Sequence, residues 1–130
     1  MILLDTHIWI RWLLPTDPLP SNLTDLIETA DGLAVSSISC WEVILLEKFN
    51  RIKLPLPVEE WLREASGGSD VAVLPVDEKV ASLAARLPYH HKDPADRFII
   101  ATAIVNNIEL MSLDSYFPSY VELSELLITA

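Results

Sequence analysis

The sequence predicts an α/β fold, with a central, mostly parallel sheet of four to five strands and helices on both faces. Three observations predict it. Short apolar runs recur, as expected of strands buried on both faces: Met1-Ile2-Leu3-Leu4, Leu33-Ala34-Val35, Val71-Ala72-Val73-Leu74-Pro75 and Glu109-Leu110-Met111-Ser112-Leu113. Stretches of helical period lie between them. Polar residues, Asp prominent among them, stand at the joints. With 130 residues, 51% of them hydrophobic, the chain suits one domain over residues 1–130 with a sizeable core.

The first apolar run ends at Asp5-Thr6-His7, and a helix from Ile8 to Leu14 stops before Pro15. Trp9 and Trp12 share a face of it. Ser21 caps a second helix that runs to about Ala30, where Asp31-Gly32 closes it. After the second strand, Ser39 and Glu42 form an S-x-x-E capping box for a helix running to Lys48. Val58 to Ala65 forms a helix with Trp61 and Leu62 inward. The third strand is assigned to a sheet edge because of Pro75. Asp77 caps Glu78 to Arg86, and Leu87 to Lys92 is a polar loop containing His90-His91. Asp93 is the N-cap, Pro94 the first residue and Asp96 a first-turn anion of a helix ending near Asn106. The fourth strand stops at Asp114. Tyr120 to Leu123 is read as a last strand, followed by a short helical piece.

Composition narrows the function. No apolar run reaches the roughly 18 residues of a membrane span, and no basic segment precedes Ile2-Leu3-Leu4 as in a signal peptide. The single cysteine, Cys40, rules out an internal disulfide and fits a reducing cytoplasm. Nineteen acids against nine Lys and Arg give a net charge of −10. That disfavours nonspecific nucleic-acid binding through a broad basic face. It suits a basic partner or a site that holds cations.

The acids have a pattern. Asp5 and Asp114 directly follow strands, and Glu42 and Asp96 lie in first helical turns. In a parallel sheet, strand ends and the following helix starts share an edge, where ligands bind at the point of reversed strand order. Two carboxylates about 4 Å apart repel by about 4 kcal/mol at an effective dielectric near 20. A cluster of them raises its pKa values or binds cations. Oxygen ligands without paired cysteines point to Mg²⁺ or Mn²⁺, ions that support phosphoryl chemistry. Singly, each acid reads equally well as a cap or a turn residue.

The ordered set Leu3-Leu4-Asp5-Thr6-His7, Ser39-Cys40-Trp41-Glu42, Leu87 to Ala103 and Leu110-Met111-Ser112-Leu113-Asp114 resembles PIN-domain nucleases, specifically VapC-like toxins of toxin–antitoxin pairs. The matching pieces span essentially the whole chain. The resemblance implies a three-layer PIN-like fold and a Mg²⁺- or Mn²⁺-dependent endoribonuclease. Such an enzyme cleaves RNA by water attack at phosphorus, leaving 5′-phosphate and 3′-hydroxyl ends. It assigns catalytic roles to Asp5, Glu42, Asp96 and Asp114, with Asp5, Asp96 and Asp114 as the metal contacts. Asp93 matches a further acid of the subgroup carrying the D-P-x-D-R segment. Thr6 and Ser112 support the strand-end acids, and Ser112 stands where the family often has Thr. Arg97 supports the site by pairing with Asp93 or Glu42, or else faces phosphate.

Basic residues at the expected rim reconcile the acidity with an RNA substrate. Lys92, Arg51 and Lys53 are the candidate substrate contacts, with Arg11, Lys48 and His90 nearby. The resemblance also implies a homodimer and a cognate antitoxin, whose tail wraps a groove and brings a basic side chain to the acids. Trp9, Trp12, Trp41, Phe49 and Trp61 are groove candidates, most of them expected in the core. A receiver-like phosphoacceptor domain is the first alternative, with Asp77 as its acceptor, but no Lys follows Leu113. A D-x-D phosphatase lacks its second Asp, which is His7 here. A noncatalytic partner-binding module with an acidic pocket is the third alternative.

Overall fold

The computed structural model describes residues 1–14, 16–90 and 92–130, so the helix stop at Pro15 and the loop reading of His91 lie outside the described residues. The elements run β1 (Ile2–Leu4), α1 (Thr6–Leu13), α2 (Ser21–Thr29), β2 (Leu33–Ser36), α3 (Ser37–Lys48), α4 (Val58–Ala65), β3 (Val71–Leu74), α5 (Glu78–Arg86), α6 (Pro94–Asn106), β4 (Glu109–Met111) and β5 (Leu127–Ile128). The strands form one five-stranded sheet in the order β3-β2-β1-β4-β5. Every pairing is parallel, with Leu3 opposite both Ala34 and Leu110 in the centre.

Alternation along the strands divides the core in two. Ile2 and Leu4 face one layer with Trp9 of α1, Leu23 and Ile27 of α2, Val43 of α3 and Trp61 of α4. Leu3 faces the other, with Val80 and Ala84 of α5 and Ile99, Ile100 and Ala103 of α6. Trp9 donates its indole N–H to Ala65 O at 2.9 Å, and its ring centroid lies 5.6 Å from that of Trp61. Both tryptophans are thus core residues, with the polar tip of Trp9 satisfied. β3 is an edge strand with Ala72 and Val73 exposed, as Pro75 predicts.

Three element boundaries differ from expectation, each for a local reason. β2 runs directly into α3, so Ser36 is the cap, its Oγ accepting from Ile38 N at 3.2 Å. Ser39 therefore lies inside the helix and is buried, and no Ser39–Glu42 capping box forms. At α2 the residue before the helix is Pro20, whose carbonyl accepts from Leu23 and Thr24; Ser21 is the first helical residue and not the cap. The Tyr120–Leu123 strand is absent too. Phe117, Tyr120 and Leu123 are buried at a spacing of three, which two successive 3₁₀ turns satisfy (Phe117–Ser119 and Val121–Leu123). The last strand comes later, as β5, where a helical piece is predicted.

Chain order and sheet order part company between β1 and β4. From β1 the chain builds β2 and β3 to one side, then crosses back to place β4 and β5 on the other. The crevice at the carboxyl ends of β1 and β4 is therefore the switch point at which ligands bind in open α/β sheets.

Candidate active site

Asp5 follows β1 and is buried, 3% exposed. Its backbone N–H donates to Met111 O at 3.0 Å, and Ser112 Oγ donates to its Oδ2 at 2.8 Å. Ser112 Oγ also accepts from the backbone N–H of Asp114 at 3.0 Å. One hydroxyl thus ties the acid after β1 to the acid after β4. The other carboxylate oxygen of Asp5, Oδ1, is buried without a hydrogen-bond partner. A buried, unpartnered carboxylate oxygen is costly unless a cation sits beside it.

The helices bring the remaining acids; because α3 begins at Ser37, Glu42 lies in its second turn and not, as expected, in its first. Thr6 Oγ1 lies 2.5 Å from Glu42 Oε1 and 2.8 Å from Ser39 Oγ. The single Thr6 proton serves the carboxylate, leaving the Ser39 hydroxyl to donate to Thr6. Asp93 is the N-cap of α6, its Oδ1 accepting from Ala95 N at 3.0 Å, with Pro94 at the first helical position. Asp96, one residue short of a full turn later, is buried at the mouth of that helix. Carboxylate oxygens of Glu42, Asp93 and Asp96 all lie within 4.8 Å of one another.

The protonation equilibria report the crowding. Burial pushes Asp96 up to about 8, reinforced by the charges of Asp5, Asp93, Glu42 and Asp114. Burial also raises Asp5, against the opposing hydrogen bond from Ser112. Glu42 is raised by burial as well, with Thr6 opposing and the charges of Asp5 and Asp93 adding to it. The other four acids all sit within electrostatic reach of Asp96. A set of hard oxygen donors with one buried, unpartnered atom fits a hard divalent cation such as Mg²⁺ or Mn²⁺.

The PIN domain family model matches residues 2–123, nearly the full chain. The chain belongs to the PIN-domain family. It is 36% identical to Ribonuclease VapC22 of Mycobacterium tuberculosis over 120 residues, 92% of this chain and 91% of the relative. Its fold matches VapBC2 from Rickettsia felis bound to a promoter DNA fragment, with a TM-score of 0.70 at 20% identity over 99% of this chain and 98% of the other. A toxin–antitoxin complex from Klebsiella pneumoniae matches with a TM-score of 0.69 at 20% identity, covering 99% and 97%. DNA-bound VapBC from Salmonella typhimurium gives 0.69 at 18% identity, covering 98% and 96%. Among the described residues, no helix is long and apolar enough to cross a membrane.

In this PIN-domain chain the predicted residues divide unevenly. Glu42, Asp93 and Asp96 cluster, and Asp5 and Asp114 lie within electrostatic reach of Asp96, with Thr6 and Ser112 as hydrogen-bonding supports. Arg97 does not pair with Asp93 or Glu42. Its guanidinium donates to Ala84 O, Leu87 O and Pro88 O at 2.7, 2.8 and 2.9 Å and stacks on Tyr89. The reason is the carbonyl-rich end of α5, which a buried cation neutralises and satisfies. Arg97 thereby fixes the start of α6. Asp77, the receiver-type candidate, caps α5 by accepting from Val80 N at 3.0 Å.

The rim has two openings. A pocket of about 520 Å³ is lined by Trp41, Glu42, Phe49, Arg51 and Asp93. A smaller cleft of about 200 Å³ is lined by Asp5, His7, Arg11 and Asp114. Arg11 is engaged by the carbonyls of Asp17 and Pro18 at 2.9 and 2.8 Å. Lys53 lines a separate pocket with Ile10 and Leu14, and Lys92 is exposed beside Asp93. Sequence reasoning missed Ser39 as a site support. Its only signal was a second small hydroxyl three residues before Glu42, which reads equally as a cap.

Proposed function

We propose that this chain is a single-domain, metal-dependent endoribonuclease acting as the toxin of a toxin–antitoxin pair. The observation that carries the reading is the convergence of five carboxylates at the β1/β4 switch point, with Asp5 Oδ1 buried and unpartnered. Its similarity to Ribonuclease VapC22 supports RNA as the substrate, and its fold likeness to VapBC complexes supports an antitoxin partner. A homodimer and a cytoplasmic location accompany that reading.

Asp5, Asp96 and Asp114 would hold Mg²⁺ or Mn²⁺, with Glu42 and Asp93 completing the donor set beside Asp96. An ion held there would supply Lewis acidity at phosphorus and a water of lowered pKa. Asp96, pushed up to about 8 by burial, would give up its proton to hold the cation. Glu42 is held at Oε1 by Thr6, and its raised pKa suits it to accept a proton from the attacking water. Ser112 keeps Asp5 and Asp114 in register with each other. The products are a 5′-phosphate and a 3′-hydroxyl.

The test compares wild type with Asp96→Asn on total RNA, with Mg²⁺, with Mn²⁺ and with chelator. Wild type cleaves with either metal and not with chelator, and the folded variant loses cleavage by at least about a hundredfold. Equal cleavage by both proteins, or cleavage in chelator, overturns the reading.

A further inference from the structure

One large pocket touches none of the five acids. It holds about 480 Å³ and is lined by Ile10, Leu14, Thr16, Arg51, Ile52 and Lys53. Its charge is the reverse of the chain's. Nineteen acids outnumber nine Lys and Arg in the sequence, yet two of the six lining residues are cations and none is an acid. The α3 pocket differs in both respects. It carries Glu42 and Asp93, and its wall includes Trp41 and Phe49, 53% and 64% exposed, whereas no aromatic ring lines the cationic pocket.

Local structure sets both cations over one opening. α3 closes in a Schellman turn, with Asn50 at φ 58°, Asn50 N donating to Glu47 O at 3.0 Å and Arg51 N to Leu46 O at 2.8 Å. Exposure then alternates. Ile52 and Leu54 pack against the core, while Arg51 and Lys53 are exposed. That is the period of extended chain, in which residues two apart share a side. Ile10 of α1, itself buried, and Ile52 give the pocket an apolar lining. The segment carrying Thr16 is tied back to α1 by Arg11, which donates to Asp17 O at 2.9 Å and Pro18 O at 2.8 Å. Among the described residues, neither Arg51 nor Lys53 has an ion-pair partner. Two like charges on one side of a pocket repel, and an anion between them relieves the repulsion. Arg51 also lines the α3 pocket, so it is the shared wall between the acid side and the cationic side.

We infer that this pocket is a second phosphate site, which holds a backbone phosphate of the RNA at a nucleotide away from the bond being cleaved. Arg51 offers planar donors that match phosphate oxygens, and Lys53 adds a compact charge. The aliphatic lining covers the adjoining sugar. The run of phosphates passes from the acids over Arg51 to Lys53, and that shared wall favours RNA over an acidic peptide as the occupant. Phosphate contacts position a nucleic acid and read no base. A chain of net charge −10 thus grips a polyanion at one local pocket, without a broad basic face. The inference rests on the ribonuclease reading and adds to it that the substrate extends beyond the cleaved bond.

The experiment uses the full chain with Asp96→Asn, in chelator, and a fluorescein-labelled pool of 12-nucleotide RNAs of random sequence. Anisotropy gives the affinity as a function of salt. Lys53→Gln weakens binding about fivefold and reduces the steepness of the salt dependence by about one phosphate contact, and Lys53→Arg restores both. Lys79→Gln makes the same charge change on the exposed face of α5 and moves neither. In the active protein with Mn²⁺, Lys53→Gln raises KM for the pool by a similar factor. Equal weakening by Lys53→Gln and Lys79→Gln overturns the site, because net charge alone then accounts for it. Lys53-dependent binding of 5′-AMP, or of a capped Asp-Leu-Glu-Leu peptide, with RNA affinity unchanged also overturns it and assigns the pocket to a free nucleotide or to a protein. Metal-dependent cleavage by wild type with RNA affinity unchanged in Lys53→Gln refutes the phosphate site alone. Lys53-dependent RNA binding with no cleavage in Mg²⁺ or Mn²⁺ refutes the nuclease reading alone.

Discussion

Asp5 and Asp114 are held differently from Glu42, Asp93 and Asp96. The first two stand just beyond adjacent parallel strands and share the Ser112 hydroxyl. Their relative position follows from strand register, Leu4 opposite Met111, and from hydrogen bonds with defined partners. The other three sit in the second turn of α3 and at the start of α6, whose separation is set by side-chain packing between helices and by Arg97 anchoring α6 to the end of α5. Backbone register places charges firmly, though burial raises Asp5 and leaves its Oδ1 without a partner. Helix packing crowds charges until one of them, Asp96, keeps its proton near neutrality. The strand-end pair supplies fixed position and one unpartnered oxygen, the helix-borne trio supplies crowded negative charge, and a cation site needs both.

The largest effect expected from breaking this contrast is on the helix side. In metal-free protein, Asp96 in the native state holds a proton that the unfolded chain has lost above about pH 4, so unfolding releases it. Stability therefore falls as pH rises from about 4 to about 8 and levels off above that. Asp5 and Glu42, also raised, act in the same direction. Thermal melts in chelator should show a loss of a few kcal/mol across this window, because a tenfold change in one group's proton affinity is worth about 1.4 kcal/mol. Asp96→Asn should flatten the profile and raise Tm at pH 8 by several degrees, while Mn²⁺ should raise the wild-type Tm more at pH 8 than at pH 6. A flat wild-type profile would remove the distinction between the two groups.

On the strand side the expected change is smaller. Ser112→Ala leaves Asp5 Oδ2 and the Asp114 N–H without their shared partner, costing about 1–3 kcal/mol of stability by denaturant titration. Cleavage should fall by about tenfold or more and return in Ser112→Thr. The smallest effect separates two jobs of one residue. Asp93→Ala removes the α6 cap for about 1 kcal/mol. Asp93→Asn keeps the cap and removes only the charge, so it should match or exceed wild-type stability in chelator while weakening Mn²⁺ binding by calorimetry.

The strands from Ile2, Leu33, Val71 and Glu109 were legible because continuous apolar runs between polar joints have few other uses. Asp93-Pro94 was legible as a helix start because cap chemistry is local. The capping box at Ser39 and Glu42 was misleading. The same two residues satisfy a local pattern, and only the arrival of Thr6, 33 positions away from Ser39, redirects them. Arg97 was misread for a similar reason. Neighbouring Asp residues suggest an ion pair, whereas the carbonyls at the end of α5 are its actual partners. The 3₁₀ turns at Phe117–Ser119 and Val121–Leu123 carried their signal in the three-residue spacing of Phe117, Tyr120 and Leu123, which resembles a strand when only Tyr120 to Leu123 is considered.

By itself the sequence determined the α/β class, the order of the elements through β4 and that Asp5, Asp93, Asp96 and Asp114 lie at element ends, because hydrophobic period and cap chemistry act over a few residues. Tertiary structure alone decided which oxygens meet, that one of them is left buried without a partner, and which aromatics face solvent. Those outcomes depend on contacts between segments far apart in the chain, and the energy of a buried charge is set by whatever the rest of the fold packs around it.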